Sequence, residues 1–522
     1  MKDNNIVRVR AAPSPTGRVH TGNLRTFLNN YLWARHNGGV NVLRVEDTDV
    51  KRSVEGGVEA IIEVLELYGI TFDEGPVQGG EFGPYLQSQR LDLYRRHAEE
   101  LVDKDCAYYC FCSEQRLEDL RNNQRAASTK AMYDRKCREI SIEEARSRIT
   151  GGEKYVVRMK FPTMGHMEFV DEITGRIRVN NKEIDDMVLL KADGFPTYHF
   201  AVVVDDHHMA ITHVFRGREY LTQTTRDMFL YESFGWSAPK WVHTPHLLNP
   251  DGKGKLSKRY GAQAAIAYLR QGYLPEAVLN YLVLAGWAPR DEEAHRDEVY
   301  SLEELIRLFD IKRMKKSNAR FDQNKMDHLN GEHIRRISTE VLVDKVLHWA
   351  KEYVLGEFVA DKYDEHPQWE DELKAKVQRY LPMWEADRML FTKMLALEQA
   401  RLKYLSELPD LLSFFFDDEL VYAPDEFKTI NQSEMDKVLL DCWDRLKVVV
   451  EDAWEHTSWE KTVRDCADSY GWKHGDLFML LRIVITGRKM SPPLFECMEI
   501  LGTQKCDERI RGAVKFLSGQ NV

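Results

Sequence analysis

Three stretches of the chain concentrate residues able to handle phosphate and carboxylate groups. The first runs Arg10-Ala11-Ala12-Pro13-Ser14-Pro15-Thr16-Gly17-Arg18-Val19-His20-Thr21-Gly22-Asn23, with small residues, a histidine and a glycine where a helix begins. The first N–H groups of a helix carry partial positive charge, Gly22 permits close backbone approach, and His20 can donate to a phosphoryl oxygen. The second, Leu247-Leu248-Asn249-Pro250-Asp251-Gly252-Lys253-Gly254-Lys255-Leu256-Ser257-Lys258-Arg259, is a glycine-containing loop with three lysines. Taken alone, it reads as an exposed basic loop. No GxxxxGK[ST] string accompanies it, so a P-loop ATPase is a poor competitor. The third joins Asp193-Gly194-Phe195-Pro196-Thr197-Tyr198-His199-Phe200-Ala201 to Asp205-Asp206-His207-His208 and Val214-Phe215-Arg216-Gly217-Arg218-Glu219. Asp205 to His208 has the look of a metal cluster. Read as residues of a strand, however, neighbours alternate faces and cannot all converge on one ion.

The elements that position these residues follow from periodicity. Val7 to Ala11 reads as a short buried strand, followed by a loop and a helix with the apolar stripe Leu24, Phe27, Leu28, Tyr31 and Leu32, which Gly38-Gly39 ends. Val40 to Val45 is the next strand and delivers Glu46 at its carboxyl end; a helix around Val58 to Tyr68 follows. This βαβ unit implies a parallel sheet with right-handed crossovers and ligands at the carboxyl ends of its strands. From Gln87, charged helices mix with strand-like pieces such as Tyr155 to Phe161, the mark of an insertion. The parallel pattern then resumes with Tyr198 to Val204 read as a strand, His213 to Phe215 as another, and Tyr220 to Phe234 as a helix. From Leu274 the chain is mostly helix, and strand-like runs become scarce beyond about Glu340.

Composition bounds the reading. At 522 residues, with ~100–200 per domain, about three to five domains are expected. A hydrophobic share of 43% and a charged share of 30% are near globular averages, and no run approaches the ~18 apolar residues of a membrane span. No leader is recognised in Met1 to Arg10, and the eight cysteines are read as reduced thiols, so the expected location is the cytoplasm. The net charge of −11 argues against a protein that coats nucleic acid non-specifically. Local basic faces remain, in Lys312, Arg313, Lys315 and Lys316 and in Arg335 and Arg336, where a solvated helix surface is the plainer alternative.

Arg10 to Asn23 resembles the first signature of class I aminoacyl-tRNA synthetases, the tetrapeptide beginning His-Ile-Gly, in its glutamyl and glutaminyl form. Lys255-Leu256-Ser257-Lys258-Arg259 resembles the second, Lys-Met-Ser-Lys-Ser. The likeness runs from Val7 to Leu517 and takes in Gly83-Pro84-Tyr85-Leu86-Gln87-Ser88, Leu274-Pro275-Glu276-Ala277, Phe321-Asp322 with Leu329-Asn330, and Ser491-Pro492-Pro493-Leu494-Phe495-Glu496. A helical rather than β-barrel carboxyl end resembles the bacterial and organellar glutamyl type.

The fold class this implies is α/β multidomain. A Rossmann-like parallel-sheet catalytic domain (1–86 and 195–240) carries an α+β acceptor-stem-binding insertion (87–194). A stem-contact region with the lysine loop (241–338) and an all-α anticodon-binding region (339–522) follow. The activity implied is glutamate activation by ATP and transfer to the terminal adenosine of tRNA-Glu, by a monomer, with magnesium held largely by ATP phosphates. His20, Gly22, Asn23, Lys255 and Lys258 would be catalytic, with Lys258 and His20 the main stabilisers of phosphoryl charge. Arg10, Tyr198 and Arg216 would address the side-chain carboxylate, Glu46 the amino group, and Ala12 and Ser14 the pocket wall. A guanidinium offers only donors and so favours a carboxylate over an amide. Val202 stands where many relatives have Asn. Glu219 and Leu248, with His20, Gly22 and Lys258, would hold ATP. Arg401 is aligned with an arginine that distinguishes tRNA-Glu from tRNA-Gln.

Cys110-Phe111-Cys112 and Cys137-Arg138-Glu139 resemble a zinc site of some bacterial relatives, with Glu139 in place of His; three ordinary thiols are the favoured reading over zinc. The alternatives are an enzyme that also charges tRNA-Gln and an inactive tRNA-binding paralogue, against which the intact His20, Gly22, Lys255 and Lys258 count. A shorter relative that modifies a tRNA base would lack the long carboxyl-terminal region.

Overall fold

The computed structural model describes residues 6–49, 54–257, 263–363, 367–430, 434–452 and 456–519. They fall into two compact units. One takes Met1–Tyr268, Pro275–Met326 and Phe358–Glu365; the other takes Leu269–Leu274, Asp327–Glu357 and His366–Val522.

In the first unit β1 (Arg8–Ala11) and β2 (Val40–Leu43) run parallel, Arg8 opposite Val40 and Ala11 opposite Leu43. The crossover helix α1 (Thr21–His36) buries the stripe expected of it, Leu24, Phe27, Leu28, Tyr31 and Leu32. Each fully buried side chain of this kind contributes roughly 1.5–3 kcal/mol. Gly38 follows at φ 59°, where a side chain would be strained, and turns the chain into β2. After α2 (Gly57–Leu67) comes the insertion: α3 (Leu91–Asp103), β3 (Ala107–Cys110), α4 (Glu114–Ala126), α5 (Ile142–Thr150), β4 (Val156–Met159), β5 (His166–Asp171), β6 (Gly175–Asn180) and β7 (Val188–Leu190). β3, β4 and β7 form an antiparallel sheet, and β5 and β6 a hairpin.

The chain returns through α6 (Tyr198–His208), β8 (His213–Gly217), α7 (Thr224–Phe234), β9 (Lys240–Thr244) and β10 (Leu247–Leu248). β8 and β9 are parallel, and the insertion's β5 joins β9 in parallel at Asp171 and Trp241. β1 lies beside β8, where Thr212 N donates to Arg8 O at 2.9 Å. The segment Tyr198 to Val204, expected as a strand, is the helix α6. Its residues Phe200, Ala201, Val203 and Val204 are buried in one core with Tyr94, Phe161, Leu230 and Trp241. A helix covered on all sides loses the polar face that marks it in a sequence, and its three valines then read as strand.

The second unit has no strand among its described residues. Its helices include Thr339–His348, Gln368–Ala386, Arg388–Glu398, Leu408–Phe416, Met435–Asp452, His456–Ser469, His474–Thr486 and Leu494–Gly519. Trp443, Trp459, Leu480, Leu481 and Ile510 form part of its core. No helix among the described residues is long and apolar enough to cross a membrane.

Candidate active site

A cleft of about 690 Å³ opens where the carboxyl ends of β1, β2, β8 and β9 converge. Loops following these strands bring in Ala12, Ser14, Glu46, Glu219 and the residues after Thr244, while Arg10 and Arg216 come from the strands themselves. His20, Gly22 and Asn23 enter from the start of α1, Tyr198 from the start of α6, and Lys255 from the loop after β10. Two expected members lie elsewhere. Val202 is buried inside α6, and Leu248 belongs to β10, paired with Arg320; neither lines the cleft. Lys258 lies outside the described residues.

His20 caps α1. Its Nδ1 accepts from Gly22 N at 3.2 Å, so in the neutral ring the proton sits on Nε2, free to donate to a ligand. Desolvation by the surrounding protein, with Lys255 and Arg18 nearby, holds the imidazole below its ordinary pKa. Across the cleft, Lys255 Nζ donates to Glu219 Oε1 at 2.9 Å. The loop carrying it is closed by Asn249, whose Oδ1 accepts from Ser257 N at 3.0 Å and whose Nδ2 donates to Lys253 O at 2.6 Å. Gly252 and Gly254 take φ of 76° and 75° within that turn.

The floor of the cleft is a buried network of charges. Arg10 donates through Nε to Asp206 Oδ1 at 3.1 Å and through Nη1 to Phe215 O at 3.3 Å. Arg44 donates through Nη1 to Asp206 at 2.5 Å and reaches Glu46 at 3.3 Å. Burial pushes the Glu46 carboxyl up to about 7 even though Arg44 and Arg10 oppose that shift. Asp205 receives Arg90, Gln87 and Tyr94 at 2.7–2.8 Å. Asp205 and Asp206 are thus anchors for arginines. Together with His207, stacked on Trp236, and His208, bonded to His97, they share a helix rather than the strand expected of them.

Arg216 is held on three sides. Its Nη2 donates to Asp227 Oδ2 and to Thr224 Oγ1, both at 2.6 Å, and its Nε to His243 Nε2 at 3.1 Å. Nη1 is buried without a hydrogen-bond partner. A buried donor with no acceptor costs about 1–3 kcal/mol. His199 Nδ1 occupies the second oxygen of Asp227 at 2.8 Å. Arg216 and His199 hold the Asp227 carboxyl down at about 2 against the effect of its burial. Arg44, Asp227, His243 and Asp171 escaped the sequence reading; no local pattern marks them, because their partners are brought together only by the sheet.

On the insertion, the ligating atoms of Cys110, Cys112 and Cys137 lie within 4.8 Å of one another, with Cys112 Sγ and Cys137 Sγ 3.6 Å apart. Zn–S bonds of ~2.3 Å in a tetrahedron place sulfurs ~3.8 Å apart, so the three thiols fit a zinc ion. Glu139, expected as the fourth ligand, is exposed and outside this group. The oxygen among the thiols is Tyr133 Oη, 3.4 Å from Cys110 Sγ and 3.3 Å from Cys112 Sγ. In the second unit, Arg401 ends the turn Gln399–Arg401 and pairs through Nη1 with the buried Glu398 at 3.2 Å.

The chain matches the family model described as tRNA synthetases class I (E and Q), catalytic domain, over residues 6–328, and that of an anticodon binding domain over residues 372–514. It is 40% identical to the glutamate–tRNA ligase of Dehalococcoides mccartyi over 516 residues, 98% of this chain and 99% of that one. The glutamate–tRNA ligase of Alkaliphilus metalliredigens is 39% identical, with 97% and 98% covered. Among solved structures, a glutamate tRNA ligase from Elizabethkingia meningosepticum, in complex with its amino acid, aligns with a TM-score of 0.83 at 32% identity, covering 98% and 99%.

Proposed function

The chain belongs to the glutamate–tRNA ligases of the class I synthetases, and on that premise we propose how its cleft divides the work. In the first step a glutamate carboxylate oxygen attacks the α-phosphate of ATP, and pyrophosphate leaves. In the second, the 2′-hydroxyl of the terminal adenosine attacks the acyl carbon, and AMP leaves. Little covalent chemistry falls to the protein, so positioning and charge stabilisation carry the rate.

The observation that carries the assignment is the buried, unpaired Nη1 of Arg216. Arg10 lines the same cleft, and Tyr198 enters it from α6. Together they receive the side-chain carboxylate. A glutamine amide would turn its NH2 toward one of these donors, which disfavours it. Glu46 takes the substrate ammonium, Ala12 and Ser14 flank it, and Glu219 lies toward the adenosine. His20, the Gly22 and Asn23 amides and Lys255 surround the phosphates, and Lys258 is assigned, by its place in the second signature alone, to stabilising their charge. Magnesium enters bound to ATP.

Residues 87–194 grip the acceptor end and 241–338 the stem, and Arg401 in the helical region reads the anticodon so that tRNA-Glu alone is charged. The enzyme works as a cytoplasmic monomer. Cys110, Cys112 and Cys137 would supply three sulfurs to a structural zinc ion on the insertion.

Charging of purified tRNA-Glu and tRNA-Gln with labelled glutamate tests this reading. ATP-dependent charging of tRNA-Glu alone is expected. Charging of both would overturn the role of Arg401, and charging of neither would overturn the active machinery.

A further inference from the structure

The junction between β5 and β9 sets the Asp171 carboxylate against His243. Asp171 Oδ2 accepts from the His243 backbone N–H at 2.9 Å and faces Nδ1 of the ring at 2.8 Å. An ionised carboxylate only accepts, so Nδ1 carries a proton. On the far side of the ring, Nε2 lies 3.1 Å from Arg216 Nε, which is a donor in a charged guanidinium, so Nε2 must offer its lone pair. The Thr224 hydroxyl, whose oxygen accepts Arg216 Nη2, lies 3.0 Å from the same nitrogen. The ring is therefore neutral, with its tautomer written by Asp171. Both side chains are completely buried, so no water can take over either bond.

We propose that His243, with its tautomer fixed by Asp171, is a positioning residue for side-chain selection, acting through Arg216. The inference rests on the reading that Arg216 receives the substrate carboxylate. Asp227 and Thr224 hold one end of the guanidinium, but a plane held at one end can pivot. The bond from Nε to His243 supplies the second point and leaves Nη1 as the edge presented to the ligand. A ring with its proton on Nε2 would set donor against donor and turn that edge away. Recognition groups must be held within ~0.5 Å of their productive position, and a two-point hold of a planar group achieves this. The device also ties selection to the insertion, because Asp171 is the last residue of β5.

The experiment compares His243→Leu, which removes the acceptor, with His243→Gln, which keeps an acceptor oxygen, in aminoacylation of tRNA-Glu. Loss of a hydrogen bond to a charged group predicts a rise in the glutamate KM of roughly 10- to 100-fold for His243→Leu. The ATP KM should stay within about threefold of wild type, and His243→Gln should recover most of the loss. An unchanged glutamate KM, or an equal rise in both KM values, overturns the proposal. Arg216→Gln is run alongside. If it leaves the glutamate KM unchanged, the reading of Arg216 fails; if it raises that KM while His243→Leu does not, this inference fails alone. Should His243→Leu not fold, nitrogen-15 NMR of histidine-labelled wild type decides. The Nδ1–H tautomer is expected at His243, and an Nε2–H ring or an imidazolium overturns the proposal.

Discussion

Arg216 Nη2 lies 2.6 Å from Asp227 Oδ2, so the edge of the guanidinium best suited to a bidentate carboxylate is already engaged inside the protein. What remains for a ligand is Nη1. On the proposed reading, selection of a carboxylate depends on donors converging from β1, β8 and α6, rather than on one arginine gripping it alone.

The Asp227 counter-charge is itself a testable source of stability. Its folded pKa, about 2, lies below the ~3.9 of an unfolded aspartate. The stability it contributes is present above about pH 4 and is lost as pH falls toward 2. Asp227→Asn leaves Arg216 and His199 without their anion and should lower stability at neutral pH by ~3–5 kcal/mol. Denaturant unfolding of both forms checks this. A gap that does not narrow below pH 4 contradicts it.

Glu46 titrates in the opposite sense. Burial pushes its carboxyl up to about 7, so the free cleft loses its anion as pH drops through neutrality. Binding a substrate ammonium requires the ionised form. The kcat/KM for glutamate should then fall by up to tenfold per pH unit below about 7. Because the folded pKa exceeds the unfolded one, this group also makes stability fall as pH rises from about 4.5 to 7. Glu46→Gln should therefore melt higher than wild type above pH 7 while using glutamate poorly. A flat kcat/KM profile between about pH 6 and 8 contradicts the assignment.

The first strand, helix and second strand were legible because each announces itself within a few residues: the stripe from Leu24 to Leu32, the Gly38-Gly39 stop, and Glu46 just beyond a β-rich run. His20 and Glu46 stand out by position, at or near the ends of those elements, whereas Arg10 and the substrate role of Glu46 are what the family resemblance implies. What holds them does not. His243 and Asp171 are 72 residues apart, and Arg10 and Asp206 are 196 apart. No local pattern couples such pairs. The helix of Tyr198–His208 was misread for a different reason: a run of Phe, Ala and three Val residues buried on every side carries no helical period to detect.

A zinc ion held by the three thiols would be measured as about one per chain in protein purified without chelator. Cys137→Ser should release the ion and lower the melting temperature of the insertion, leaving the cleft's residues in place. Metal content well below one per chain, in protein whose thiols are shown to be reduced, contradicts the assignment.

Arg401 is expected to reject tRNA-Gln. The third anticodon base is C in tRNA-Glu and G in tRNA-Gln. Cytosine offers acceptors on its pairing edge, whereas guanine would set N–H donors against the guanidinium, a difference of ~1–3 kcal/mol. Glu398, buried and three residues back, holds the arginine at 3.2 Å. Arg401→Gln should raise charging of tRNA-Gln relative to tRNA-Glu by roughly fivefold or more, the lower end of that range. An unchanged ratio contradicts the role.

The central claim is that the cleft selects a carboxylate through Arg216 Nη1, and it is tested most directly by adenylate formation in wild type and Arg216→Gln with glutamate and with glutamine. Wild type should prefer glutamate strongly. The substitution should lower kcat/KM for glutamate by ~10²-fold or more while barely changing the low value for glutamine. Equal losses for both amino acids would show that Arg216 supports the fold or the reaction in general, and would contradict the account.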